Sequence, residues 1–117
     1  MEALGRIEIE QGPEAVVARI AGEIDISNVD ATRRELTESV PNSARGLVVD
    51  VTDVGYLDSS GVFLLFELDR ALGRRRQRLC VVVTPSARSG RVLQITGLDR
   101  LVPVAGTIDE ALKRIAA

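Results

Sequence analysis

The string Asp58-Ser59-Ser60-Gly61 sets two hydroxyls between a carboxylate and a glycine, and it opens an apolar helical pattern. Serine in such a place supports three chemistries: nucleophilic catalysis, capping of the helix, or acceptance of a phosphoryl group. The first needs a base. The chain has no histidine, which removes the Ser-His-Asp triad, Cys-His nucleophiles and His-based metal sites. A G-x-S-x-G elbow and a G-x-x-x-x-G-K-[ST] phosphate loop are also missing. Cys80 is the one cysteine. Inside Leu79-Cys80-Val81-Val82-Val83 it reads as a small core residue. Asp50 and Asp53 could pair for acid–base work, but each takes an ordinary turn position. No cofactor, metal site or enzymatic activity is expected.

Length and composition set the frame that must position these serines. A chain of 117 residues with 45% hydrophobic and 27% charged residues has globular proportions and suits one domain, spanning 1–117. Fifteen basic against seventeen acidic residues leave a net charge of −2, which argues against direct contact with nucleic acid or an anionic membrane. No apolar run approaches the roughly 18 residues of a membrane span. The N-terminus lacks a signal-peptide layout, so a cytoplasmic protein is expected.

Ile7-Glu8-Ile9 and Ala15 to Ala21 read as strands of a hairpin around Gln11-Gly12-Pro13-Glu14. Gly22-Glu23-Ile24-Asp25 reads as a loop, and Ser27 as the N-cap of a helix carrying Val29, Leu36 and Val40. Gly46 to Val51 is a strand of the doubly buried type, and Thr52 to Asp58 a connection to the Ser59–Gly73 helix. The arginine run Arg74-Arg75-Arg76-Gln77-Arg78 reads as a solvated helix end. Leu79 to Val83 is the next strand, followed by a helix from Pro85 through Ile95 that Gly97 stops. Leu101 to Val104 is a proline-containing edge strand, and Thr107-Ile108-Asp109-Glu110 caps a last helix. The order ββαβαβαβα predicts an α/β fold. Its mixed sheet has about five strands, antiparallel in the opening hairpin and parallel beyond it, packed with about four helices.

Ligand and modification sites of open α/β sheets gather at the carboxyl ends of parallel strands. If the second and third strands are neighbours, Asp25 and the Asp58–Gly61 string share one edge. Placing the Ser59–Gly73 helix at 100° per residue puts Gly61, Leu64, Leu65, Leu68, Ala71 and Leu72 on the core side. Val62, Phe63 and Phe66 fall on the other. Two of the chain's three aromatic residues therefore point away from the core just after the serines, as an apolar patch for a partner would.

The string Leu57-Asp58-Ser59-Ser60-Gly61-Val62, preceded by Val48-Val49-Asp50-Val51 and Asp53-Val54, resembles the signature of the STAS-domain anti-sigma factor antagonists. Gly22-Glu23-Ile24-Asp25 is similar to that family's G-E-[LI]-D loop, and Ile95-Thr96-Gly97-Leu98 resembles a third motif. The resemblance implies a protein that binds an anti-sigma factor with GHKL-type serine kinase activity and thereby frees the sigma factor. The kinase would inactivate it by phosphorylating Ser60, the second hydroxyl residue of the motif, and a PP2C-type phosphatase would restore it. Asp58, Ser59 and Gly61 would frame the site, with Asp25 as the acidic neighbour. Apart from the resemblance, helical geometry offers Phe63 and Phe66 as partner contacts, and the side chain missing at Gly61 would give a kinase access beside Ser60. Phe63 stands where a small residue often follows. The same fold also serves as a scaffold or regulatory module of signalling assemblies and lipid-transport complexes, which is the alternative function.

Overall fold

The structure, a computed structural model, describes residues 5–117. Its elements are β1 (Gly5–Gln11), β2 (Ala15–Ile24), α1 (Val29–Glu38), β3 (Gly46–Leu57), α2 (Ser59–Arg74), β4 (Arg78–Val82), α3 (Arg88–Thr96), β5 (Val104–Ala105) and α4 (Ile108–Ala116). A 3-10 turn at Leu98–Arg100 joins α3 to β5. The five strands form one sheet in sequence order; β1 pairs antiparallel with β2, and all other pairs are parallel. The architecture is α/β, with one mixed five-stranded sheet and four α-helices, as the order of elements predicts.

Alternation along the central strands sends apolar side chains to both faces. Val16, Ala18, Ile20, Leu47, Val49, Val51, Leu79 and Val81 meet Leu36 of α1, Leu64, Leu65, Leu68 and Leu72 of α2, and Leu93 of α3. On the other face Val17, Val48, Cys80 and Val82 meet Ala111 and Ile115 of α4. Each fully buried leucine contributes about 1.5–3 kcal/mol, so the row on α2 fixes that helix firmly. Burial pushes the Cys80 thiol above its ordinary 9.0, leaving it a protonated core group.

The sequence reading places several boundaries wrongly. Gly22-Glu23-Ile24 and Thr52–Leu57 are strand and not connection. Long-range pairing overrides their turn-like composition: Gly22 pairs Val54, Glu23 pairs Tyr56 and Ile24 pairs Leu57, with register shifts near Arg19 and Gly22. α1 starts one turn residue later than the Ser27 cap predicts, behind Asn28, because Ser27 bonds to Asp25 instead. α3 starts at Arg88 and not at Pro85, and β5 contains only Val104–Ala105. Gly97 does end α3, in the left-handed conformation. Thr107 caps α4 by accepting from the Glu110 N–H, while Glu110 reaches back to the Gly106 N–H. The arginine run does more than meet solvent. Arg75 donates to the Val40 carbonyl and Asn42, and Arg78 donates to the carbonyls of Arg114 and Ala117 at the end of α4.

One buried bond sets where α3 lies against β3. Ser89, 1% exposed, donates its hydroxyl to the Val51 carbonyl at 2.7 Å. Removing the hydroxyl leaves that carbonyl buried without a partner, which costs about 1–3 kcal/mol. Ser89→Ala is therefore expected to lower the free energy of urea unfolding by that amount. Ser86→Ala, at an exposed position on the same turn, is expected to leave it unchanged.

Candidate functional site

Parallel pairing carries β2 and β3 to a common end at Ile24 and Leu57, and the Asp58 N–H donates to the Ile24 carbonyl at 3.4 Å. The next residues on the two strands are Asp25 and Asp58–Ser59, so the expected juxtaposition is real. Asp25 begins a tight loop. Its carboxylate accepts from the Ser27 N–H at 2.9 Å and from the Ser27 hydroxyl. Its carbonyl accepts from the Asn28 and Val29 N–H groups. Asn28 closes the loop from the other side, accepting from the Asp25 N–H and donating to the Glu23 carbonyl. The loop's tip is Ile26, 79% exposed.

Asp58 is the N-cap of α2. Its Oδ1 accepts from the Ser60 N–H at 2.9 Å and the Gly61 N–H at 3.2 Å. This answers whether a serine of the pair is needed as the cap, because the carboxylate performs that role. Neither the Ser59 nor the Ser60 hydroxyl makes a hydrogen bond among the described residues, with Ser59 exposed and Ser60 half-buried. Gly61 has a different task from the one expected of it. A Cβ there would collide with Leu57 Cδ1 and lie 3.1 Å from Ile24 Cγ2. The missing side chain lets α2 start directly on the strand ends, and Gly61 is itself buried. It opens no path toward Ser60 from outside.

The helical-face expectation holds for the core side of α2, where Gly61, Leu64, Leu65, Leu68 and Leu72 are buried and Ala71 is half-buried. On the other side the two rings differ. Phe63 is 57% exposed, whereas Phe66 is half-buried and packs against the core. The rings stack at 6.2 Å between centroids, and the Arg70 guanidinium lies 5.8 Å from the Phe66 centroid. Phe66 is thus a base on which Phe63 rests. Ser60 and Phe63 lie one turn apart on one helix, beside the loop that displays Ile26. Ile26 went unnoticed in the sequence; its signal is a bulky apolar residue set between the turn formers Asp25 and Ser27.

This edge sets a carboxylate-capped helix end beside an acidic loop. The comparisons give it a family. The STAS domain pattern matches residues 6–111. The chain is 31% identical over 86 residues to the anti-sigma-B factor antagonist of Staphylococcus aureus, covering 74% of this chain and 79% of that one. Among solved structures, an anti-sigma factor antagonist from Mycobacterium paratuberculosis superposes with a TM-score of 0.83 at 28% identity, over 97% of this chain and 95% of the other. The Bacillus cell fate determinant SpoIIAA in its phosphorylated form gives a TM-score of 0.66 at 26% identity, over 94% and 99% of the two chains. The protein belongs to the STAS domain family. No helix among the described residues is long and apolar enough to cross a membrane.

Two measurements check this geometry. Asp58→Ala is expected to cost about 0.5–2 kcal/mol through loss of the cap, and Asp58→Asn, which still accepts, much less. The Asp25 carboxyl is held below its ordinary 3.8 by the Ser27 hydroxyl and then the Ser27 N–H. A lowered folded-state value means that the loop's stabilisation is fully present above the unfolded value. It fades as pH falls through the folded one. Carbon-detected NMR titration should therefore place the Asp25 midpoint below 3.8, and Ser27→Ala should raise it.

Proposed function

We propose that this protein is an anti-sigma factor antagonist, a regulatory binding protein of the cytoplasm and not an enzyme. It binds an anti-sigma factor that is also a GHKL-type serine kinase and so releases the sigma factor. Phosphorylation of Ser60 ends the binding, and a PP2C-type phosphatase restores it. The observation that carries the reading is a Ser60 hydroxyl without a partner among the described residues, on a helix end where Asp58 already holds the N–H groups of Ser60 and Gly61. Phosphate adds about −1.5 to −2 charges at pH 7. At an open helix terminus the N–H groups would absorb such an anion. Here Asp58 holds the N–H groups of Ser60 and Gly61, so the new charge faces outward, beside a second carboxylate at Asp25. A partner that accepts Ile26 and Phe63 against its own surface meets uncompensated charge, while the core beneath is untouched. The names of its relatives as antagonists, one of them solved in a phosphorylated form, support the same reading.

Incubation with ATP and the candidate kinase tests the switch. Stoichiometric phosphate is expected, mapped by phosphopeptide analysis to Ser60. Phosphate on the more exposed Ser59 would sink the residue assignment, and the absence of any phosphate would favour the scaffold role instead. Ser60→Ala is expected to bind constitutively, and Ser60→Asp to bind weakly with a near-normal melting temperature. A sharp fall in melting temperature for Ser60→Asp would argue that the serine is structural.

The aromatic pair gives a separate test. Truncating an exposed ring at the centre of an interface can cost roughly 2 kcal/mol or more of binding. Phe63→Ala is therefore expected to weaken kinase binding at least tenfold with little change in unfolding. Phe66→Ala removes a half-buried ring and is expected to show the larger loss of stability.

A further inference from the structure

A second surface lies on the far side of β3 from the Asp25 loop. β4 pairs with β3 only from Gly46 to Asp50, whereas β2 continues beside β3 to Leu57. From Val51 onward β3 thus has a strand neighbour on one side only. On the other side the first stretch of that edge is occupied: the Ser89 hydroxyl donates to the Val51 carbonyl, and the Thr84 N–H donates to Thr52 Oγ1. Beyond it, from Val54 to Leu57, the edge opens onto a groove of about 540 Å³ whose far wall is α3. Tyr56, 52% exposed, and Ile95, 77% exposed, supply its apolar surface. Arg88 and Arg91 line it, are exposed, and form no ion pair among the described residues.

An open strand edge offers a row of backbone donors and acceptors, which natural proteins normally pair, cover or guard. Among the described residues no strand covers this stretch, and the arginines of the far wall have no ion-pair partner. We propose that this groove is a docking site for an extended, acidic segment of a partner protein, which adds as a strand to the open edge of β3. Main-chain bonds to the Val54–Leu57 edge give the segment its direction. Its apolar side chains lie against Tyr56 and Ile95, and its carboxylates pair with Arg88 and Arg91 through charge-assisted bonds. The assignment stands apart from the Ser60 switch, since it requires no phosphate and uses neither Phe63 nor Ile26. It would let one molecule hold a second partner, or a second segment of the same partner, while Ser60 changes state.

The test uses the full chain, labelled with nitrogen-15, and a blocked hexapeptide of alternating valine and glutamate. Titration is expected to shift the amide signals of Gly55, Tyr56, Leu57, Arg88 and Arg91, and to slow amide exchange in the 54–57 stretch at least tenfold at saturation. A valine–lysine hexapeptide is expected to leave them unmoved. The double reversal Arg88→Glu with Arg91→Glu should weaken the glutamate peptide at least tenfold and admit the lysine peptide. Both sites are exposed, and an acid at the first residue of α3 favours its helix dipole, so the variant is expected to fold. The proposal is overturned if millimolar glutamate peptide moves none of these signals, or if both peptides bind alike. It is equally overturned if the same amides shift with protein concentration alone, since the occupant is then a second copy of the chain. Binding of a helical acidic peptide in preference to the extended one would remove strand addition.

Discussion

Everything at the candidate site depends on β2 and β3 remaining paired to their very ends. Parallel strands cannot be joined by a tight turn, so their carboxyl ends open into separate loops that emerge side by side. The pairing of Ile24 with Leu57, reinforced by the Asp58 N–H on the Ile24 carbonyl, ties the Asp25 loop to the first turn of α2. Gly61 completes the joint, because a Cβ there would meet the Leu57 and Ile24 side chains, which would have to give way. The register shifts near Arg19 and Gly22 are part of the same constraint. They let a stretch with turn-like composition continue as a strand.

This joint separates what the fold needs from what a switch needs. Helix N-termini are usually capped by serine, threonine, asparagine or aspartate, and a serine that caps cannot be modified without loosening its helix. In this chain the residue before the pair takes the burden. Asp58 satisfies two N–H groups, and the hydroxyls of Ser59 and Ser60 are left without a partner among the described residues. The arrangement has a second effect. Under the proposed function, a phosphate on Ser60 would find the Ser60 and Gly61 N–H groups already held by Asp58 and would act at the surface.

Most of the fold is legible in the sequence because burial is periodic. The leucines of α2 fall where 3.6-residue spacing puts them, and the doubly buried runs of β3 and β4 read as parallel strands. The two strand-end errors share one cause. Gly22-Glu23-Ile24 and Thr52–Leu57 carry residues that prefer turns, and only the neighbouring strand, distant in sequence, makes them extended. Ser27 misleads similarly. It has the composition of a cap, yet Asp25 two residues earlier captures both its N–H and its hydroxyl. At the site, the identity of the residues was legible and their division of labour was not. Gly61 looked like a means of access and proves to be a packing requirement. Phe66 looked like a partner of Phe63 and proves to be half its foundation.

The overextension of β3 also explains why the molecule has two distinct edges of interest rather than one. β3 runs past β4 by the same residues that bring it level with the end of β2. Extending the strand far enough to join the Asp25 loop therefore leaves its opposite side unpaired, and α3 can cover only the part that Ser89 reaches. A shorter β3 would close that gap, but it would also withdraw Asp58 from Ile24 and α2 from its seat. The open groove is thus a geometric consequence of assembling the serine site. Natural sheets generally guard such an edge with inward charge or proline. This one is bordered instead by two outward-facing arginines and by the exposed apolar surfaces of Tyr56 and Ile95. Those side chains favour an acidic, apolar strand over self-pairing, because a second copy of the edge would bring its own arginines against the first pair.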